Sequence, residues 1–203
     1  MTITEAIDLI KTFREFDQNL FGDAALLDKI QDEYGAIPQN IVEYINQIIP
    51  NSNNIYLDLT GDPFCLFSAK DLLQKRDEFA YDFELESSSW INKWLIIGLQ
   101  LNDPFCFSLA KNQTQIFRFY FNGVSGLSSP VPVANSIGQF LLCAYAIDHA
   151  INKFEKSIII DEDSFDIQLA PEPSKWLFPR MREWAAEYYE EWCEVFENCN
   201  EEY

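Results

Sequence analysis

The chain has 203 residues, 48% of them hydrophobic and 15% aromatic, which is enough apolar matter for one large domain or a domain with an appendage. Its formal net charge is -19, so it repels nucleic acid and anionic membranes and is attracted to basic surfaces. Of the five cysteines, Cys65, Cys106 and Cys143 lie in apolar runs and no Cys-x-x-Cys occurs, a pattern of free thiols in a reducing, cytoplasmic compartment.

Met1-Thr2-Ile3-Thr4-Glu5 has no basic region ahead of an apolar stretch, and no signal peptide is expected. No apolar stretch approaches the roughly 18 residues of a membrane span. Thr2 and Glu5 have the spacing of a capping box, and Ile3, Ile7, Ile10 and Phe13 follow at helical steps. A second helix is expected over 23–34, stopped by Gly35, and a third with Pro38 in its first turn, carrying Ile41, Tyr44 and Ile45.

From Ile55 the period changes. Strands are expected over 55–59, 64–67, 94–98, 105–109 and 115–121. Turns are expected at Gly61-Asp62-Pro63, Asp103-Pro104 and Lys111-Asn112-Gln113. Ser68 and Asp71 have the spacing to cap a short helix with Leu72 and Leu73. In 116–121 nearly every residue is apolar or aromatic, so both faces are expected to be covered except near Arg118. Residues 122–130 form a loop, Ser136 caps a helix to about residue 154, and Ile158-Ile159-Ile160 is a short strand or connector. Pro-Phe-Cys after an aspartate occurs at 62–65 and 103–106, which two similar turn-to-strand junctions explain better than a repeat.

Pro171-Glu172-Pro173 sets off a last helix. Met181, Trp184, Ala185, Tyr188, Trp192, Val195, Phe196 and Cys199 recur at three- and four-residue steps, an apolar stripe that packs on the core. The other face carries Glu183, Glu187, Glu190, Glu191, Glu194 and Glu197, with no Lys or Arg after Arg182. In one continuous helix the like-charge pairs and the dipole cost on the order of 1–2 kcal/mol. The sequence thus divides into a domain over 1–154 and an acidic extension over 155–203.

Catalytic motifs are scarce. His149 is the only histidine, which excludes metal sites built on two or more histidines. No phosphate-binding glycine loop occurs among the seven glycines. Asp161-Glu162-Asp163 with Asp166 lacks the glycine and terminal glutamate of an EF-hand and reads as a solvated acidic loop. Carboxylates are too numerous for any pair to be informative. Neither a catalytic residue nor a metal or cofactor site is expected.

An ordered set of short segments carries a resemblance. Tyr34-Gly35-Ala36-Ile37-Pro38 leads into a helix, and Ile55-Tyr56-Leu57 and Phe64-Cys65-Leu66-Phe67 follow. Trp94-Leu95-Ile96-Ile97-Gly98 and Asn102-Asp103-Pro104-Phe105-Cys106-Phe107 form a central pair, and Pro132-Val133-Ala134-Asn135-Ser136 runs into a helix. Over roughly 30–145 the chain resembles the SUKH superfamily, which groups yeast cell-wall-synthesis regulators with bacterial proteins that neutralise polymorphic toxins. Pro50-Asn51-Ser52-Asn53-Asn54 departs from the Asn-Gly that often follows the proline-led helix, and the acidic extension is not part of the common pattern.

The resemblance implies an α+β fold, a mostly antiparallel central sheet flanked by N-terminal and C-terminal helices. It also implies a non-enzymatic bacterial immunity protein that binds a basic, often nuclease, toxin domain. The alternative is a regulatory scaffold or adaptor for an endogenous protein. Candidate partner contacts are Asp82, Glu84, Glu86 and Trp90, with Glu183, Glu187, Glu190 and Glu194.

Overall fold

The structure is a computed structural model and describes residues 1–59, 63–82, 90, 92–110, 112–122, 126–160 and 167–201. It has the expected α+β architecture: a six-stranded antiparallel sheet flanked by helices.

Helix α1 (Ile3–Ile10) starts with the capping box. The Glu5 amide donates to Thr2 Oγ1 at 3.2 Å and the Thr2 amide donates to Glu5 Oε2 at 2.7 Å. Ile3, Ala6, Ile7 and Ile10 are its buried face. Helix α2 (Ala24–Tyr34) is capped by Asp23, whose carboxylate accepts from the Leu26 amide, and it ends at Gly35 with φ of 74°. Pro38 is the N-cap of α3 (Gln39–Gln47) and not a residue of its first turn, because its ψ of 145° is extended.

The sheet is a plain meander in chain order: β1 (Ile55–Asp58), β2 (Pro63–Leu66), β3 (Trp94–Gln100), β4 (Asp103–Ser108), β5 (Ile116–Arg118) and β6 (Val131–Ala134). Helix α4 (Leu72–Asp82) connects β2 to β3 and is longer than the short helix expected there. The β3–β4 turn falls at Leu101-Asn102, and Asp103 and Pro104 already belong to β4, paired with Gln100 and Leu99. Leu101 supplies the positive φ, 53°, that a two-residue hairpin loop needs, so the loop closes before the proline. Strand β5 stops at Arg118, short of the expected 121. The turn at Gly61-Asp62, Lys111 and the acidic loop over 161–166 lie outside the described residues.

Helix α5 (Ile137–Asn152), capped by Ser136, is buried along nearly its whole length. It lies between the sheet and helices α1 and α6, which is why it is apolar all round. Its Phe140 ring stands 5.4 Å from both Phe64 and Phe105. Strands β7 (Ile158–Ile160) and β8 (Ile167–Leu169) pair as a separate antiparallel ribbon. Helix α6 (Pro171–Trp184) and the short α7 (Tyr189–Cys193) end the chain.

Candidate partner-binding site

Residues 171–201 are not one helix. Pro171-Glu172-Pro173, read as a separator, is the first turn of α6, where the missing proline amides cost no helical hydrogen bond. The helix stops at Trp184. Ala186 takes φ of 52°, a single 3-10 turn follows, and α7 sets off as a second axis. The turn is held from outside: Gln139 Nε2 donates to the Trp184 carbonyl at 2.8 Å and to the Ala185 carbonyl at 3.3 Å.

Met181, Trp184, Tyr188, Trp192, Phe196 and Cys199 of the stripe are buried in the same apolar core as the sheet. Val195 is the exception, 37% exposed, in the turn that follows α7. Polar anchors accompany the burial. Trp192 Nε1 donates to the Val133 carbonyl at 2.8 Å, and Tyr188 Oη donates to Asn135 Oδ1 at 2.9 Å.

The break also changes the charge arithmetic. Glu183 and Glu187 are on opposite sides of it, whereas Glu190 and Glu194 share a turn, the Glu194 amide donating to the Glu190 carbonyl at 2.9 Å. The cost is therefore below the 1–2 kcal/mol of an unbroken helix. Glu183, Glu190, Glu194 and Glu197 are exposed. Glu187 is exposed too, but its carboxylate accepts from Asn135 Nδ2 at 2.5 Å, and that bond, ahead of its own backbone amide, holds its pKa below the usual carboxylate range. Glu191 is half-buried and accepts from the Tyr120 hydroxyl. Burial first, then that carboxylate, push the Tyr120 pKa upward.

Between this segment and the sheet lies a cleft of about 290 Å³. One wall is the β3–β4 turn, with Leu101 68% exposed at the mouth. The other is Glu191, Trp192, Glu194 and Val195. Arg118 and Tyr120 form the end. Arg118 lies over the Tyr120 ring at 4.6 Å and the Phe105 ring at 5.2 Å, and its Nη2 is 2.7 Å from Asp103 Oδ2. Asp103 therefore neutralises Arg118, and Glu191 and Glu194 leave the cleft acidic. The Glu194 carboxylate has no hydrogen bond or ion pair among the described residues.

The second group of expected contacts is placed only in part. Asp82 is the last residue of α4, and Glu84 and Glu86 lie outside the described residues. Trp90 is half-buried: its ring packs on Phe119 at 5.4 Å and on Phe79 at 6.0 Å, so much of it serves the interior.

His149 sits among aromatic rings, 4.7 Å from Trp176 and 5.2 Å from Phe13. The five cysteines are free thiols, and burial pushes Cys106 and Cys143 well above the ordinary thiol range. Among the described residues, no group of three His, Cys, Asp or Glu is placed to hold a metal ion, and no helix is long and apolar enough to cross a membrane.

Of the cleft's lining, the candidate contacts named from the sequence include Glu194 but not Glu191, and Leu101, Tyr120 and Val195 were not seen as neighbours. They come from three separate elements, and only Arg118, the lone charge in an aromatic run, pointed there. No protein-family model and no curated protein gives a significant match to the chain.

Proposed function

We propose that the chain is a non-enzymatic, cytoplasmic protein-binding domain that neutralises a basic toxin domain, an immunity protein of the SUKH type. The observation that supports it most is the separation of roles over residues 181–201. The aromatic side chains are spent on the core, while Glu183, Glu190, Glu194 and Glu197 face solvent with no cation after Arg182 in the sequence. A stretch so one-sided in charge gains little stability from its carboxylates. It does raise the encounter rate with a cationic surface, such as the phosphate-binding cleft of a nuclease.

The test is growth rescue. Basic domains encoded by the genes on either side of this one are each expressed as candidate toxins, with and without the chain. Rescue by the wild type, weakened when Glu183, Glu190 and Glu197 are all changed to Gln, is expected. No rescue by the wild type overturns the immunity reading and turns attention to an endogenous partner, the adaptor reading.

A further inference from the structure

Resting on that reading, we propose that the cleft between the Leu101 turn and the Glu191–Val195 segment receives an arginine side chain of the basic partner, and is the anchor point of the complex. Size comes first. At about 290 Å³ the cleft lies at the bottom of the roughly 300–1,000 Å³ of small-molecule sites, so it takes one long side chain and little more. Its lining suits a side chain that is apolar along its stem and charged at its tip. Leu101, Val133 and Val195 offer aliphatic surface, and Glu191 and Glu194 offer carboxylates at the same opening.

The charge balance selects a cation. Among the described lining residues the positive group is Arg118, which is already paired with Asp103, and Glu191 is held in place by the Tyr120 hydroxyl. An anionic tip would meet two carboxylates, whereas a guanidinium meets Glu194, which has no intramolecular partner among the described residues. Planar, forked donors match a carboxylate pair better than a lysine ammonium does. The mouth is also shaped at a local conformational cost: Leu101 holds a positive φ with its side chain 68% exposed, a position that neither packing nor its backbone preference favours.

Central, desolvated arginines are frequent hot spots of protein interfaces, surrounded by a charged rim that governs rate more than affinity. The cleft and the outlying glutamates fit those two roles. Glu194 belongs to the anchor, and Glu183, Glu190 and Glu197 belong to the rim.

The test does not need the toxin. A capped Gly-Gly-Arg-Gly-Gly peptide is titrated into the isotope-labelled full chain and followed by amide and indole NMR, with the Leu peptide as control. Saturable shifts at Leu101, Val133, Val195 and the Trp192 indole are expected for the Arg peptide only. Glu194→Gln should weaken them about ten-fold, the factor that corresponds to about 1.4 kcal/mol. Val195→Arg, which tethers a competing guanidinium at the mouth, should abolish them. Glu183→Gln should leave them unchanged. The altered side chains are exposed, and spectra away from the cleft report that each variant is folded.

No saturable shift at the cleft, equal shifts from the Leu peptide, or an undiminished response in Glu194→Gln overturns the anchor. If the anchor fails while growth rescue holds, the partner docks elsewhere and the functional reading stands. If rescue fails while the cleft binds the Arg peptide, the site is retained for another basic partner.

Discussion

The Trp192 indole donates to the carbonyl of Val133 at 2.8 Å, tying the acidic C-terminal segment to the edge strand of the sheet. The same ring packs 5.4 Å from Phe140 of the central helix. Trp192→Ala should therefore lower unfolding free energy by about 3–5 kcal/mol, as large core truncations do. Trp192→Phe keeps most of the packing and loses the hydrogen bond, so it should cost less. Removal of residues 175–203 uncovers Phe140 and should abolish cooperative melting. A truncated chain that melts with the full-length protein would show that the segment contributes nothing to the core.

Gly98 of β3 lies under the Phe64 ring. A Cβ there would meet the Cys65 carbonyl oxygen at 2.4 Å and the Phe64 ring at 2.6 Å. Phe64 cannot swing aside freely, because Phe105 stands 5.0 Å away and Phe140 5.4 Å away. Gly98→Ala should cost about 1–3 kcal/mol or more, read from the urea midpoint. An unchanged midpoint would mean that the strand pair relaxes without strain.

His149 makes stability depend on pH in a defined direction. Burial, followed by Lys153 and Arg14, lowers its pKa below the ordinary 6.5, and the nearby Asp148 opposes that shift. Phe13, Phe154 and Trp176 close around the ring. As pH falls through 6.5 the unfolded chain takes up a proton before the folded one does, so stability declines until the folded pKa is reached. Urea midpoints stepped down from neutral pH should show this decline, and His149→Phe should flatten that part of it. A variant with the wild-type slope would assign the dependence to other groups.

Asp148 is buried and accepts from the Arg14 guanidinium and from the Asp58 amide, the latter at 2.9 Å. It joins the segment that follows α1 to α5 and the edge strand β1. Asn152 Nδ2 also donates to Asp148, at 3.1 Å, so Asp148→Ala leaves three donors without that acceptor and should cost about 1–3 kcal/mol. Asp148→Asn keeps an acceptor for the amide and should cost less. Equal losses in the two variants would remove the Asp58 bond from the account.

Much of the fold was legible because local chemistry and global packing agree. Thr2 and Ser136 each cap the helix expected of them, and Gly35 ends α2 with the positive φ that glycine permits, while Asp23, read as the first residue of that helix, is its N-cap. The twin Pro-Phe-Cys segments begin β2 and β4, the two neighbours of β3, which accounts for their similarity as junctions. The break at Ala186 was not legible. Its three- and four-residue spacing continues across the turn, and the groups that stabilise the turn belong to Gln139, forty-five residues earlier. The cleft was hidden for a related reason: its walls come from a hairpin turn, a strand end and the final segment, brought together only by the fold. Leu101 lies beyond the strand expected over 94–98, and only the fold places it in the turn at positive φ.

On the proposed reading, the outlying glutamates speed association with a basic partner. That effect is tested most directly by stopped-flow association with the candidate toxin domain, measured against ionic strength, for the wild type and for the variant with Glu183, Glu190 and Glu197 changed to Gln. Glu187 and Glu191 stay unchanged, since their carboxylates accept from Asn135 and Tyr120. The account predicts a fast wild-type on-rate that falls steeply with salt, a slower and flatter dependence in the variant, and equal or greater stability of the variant. Identical on-rates and identical salt slopes in the two proteins would contradict it.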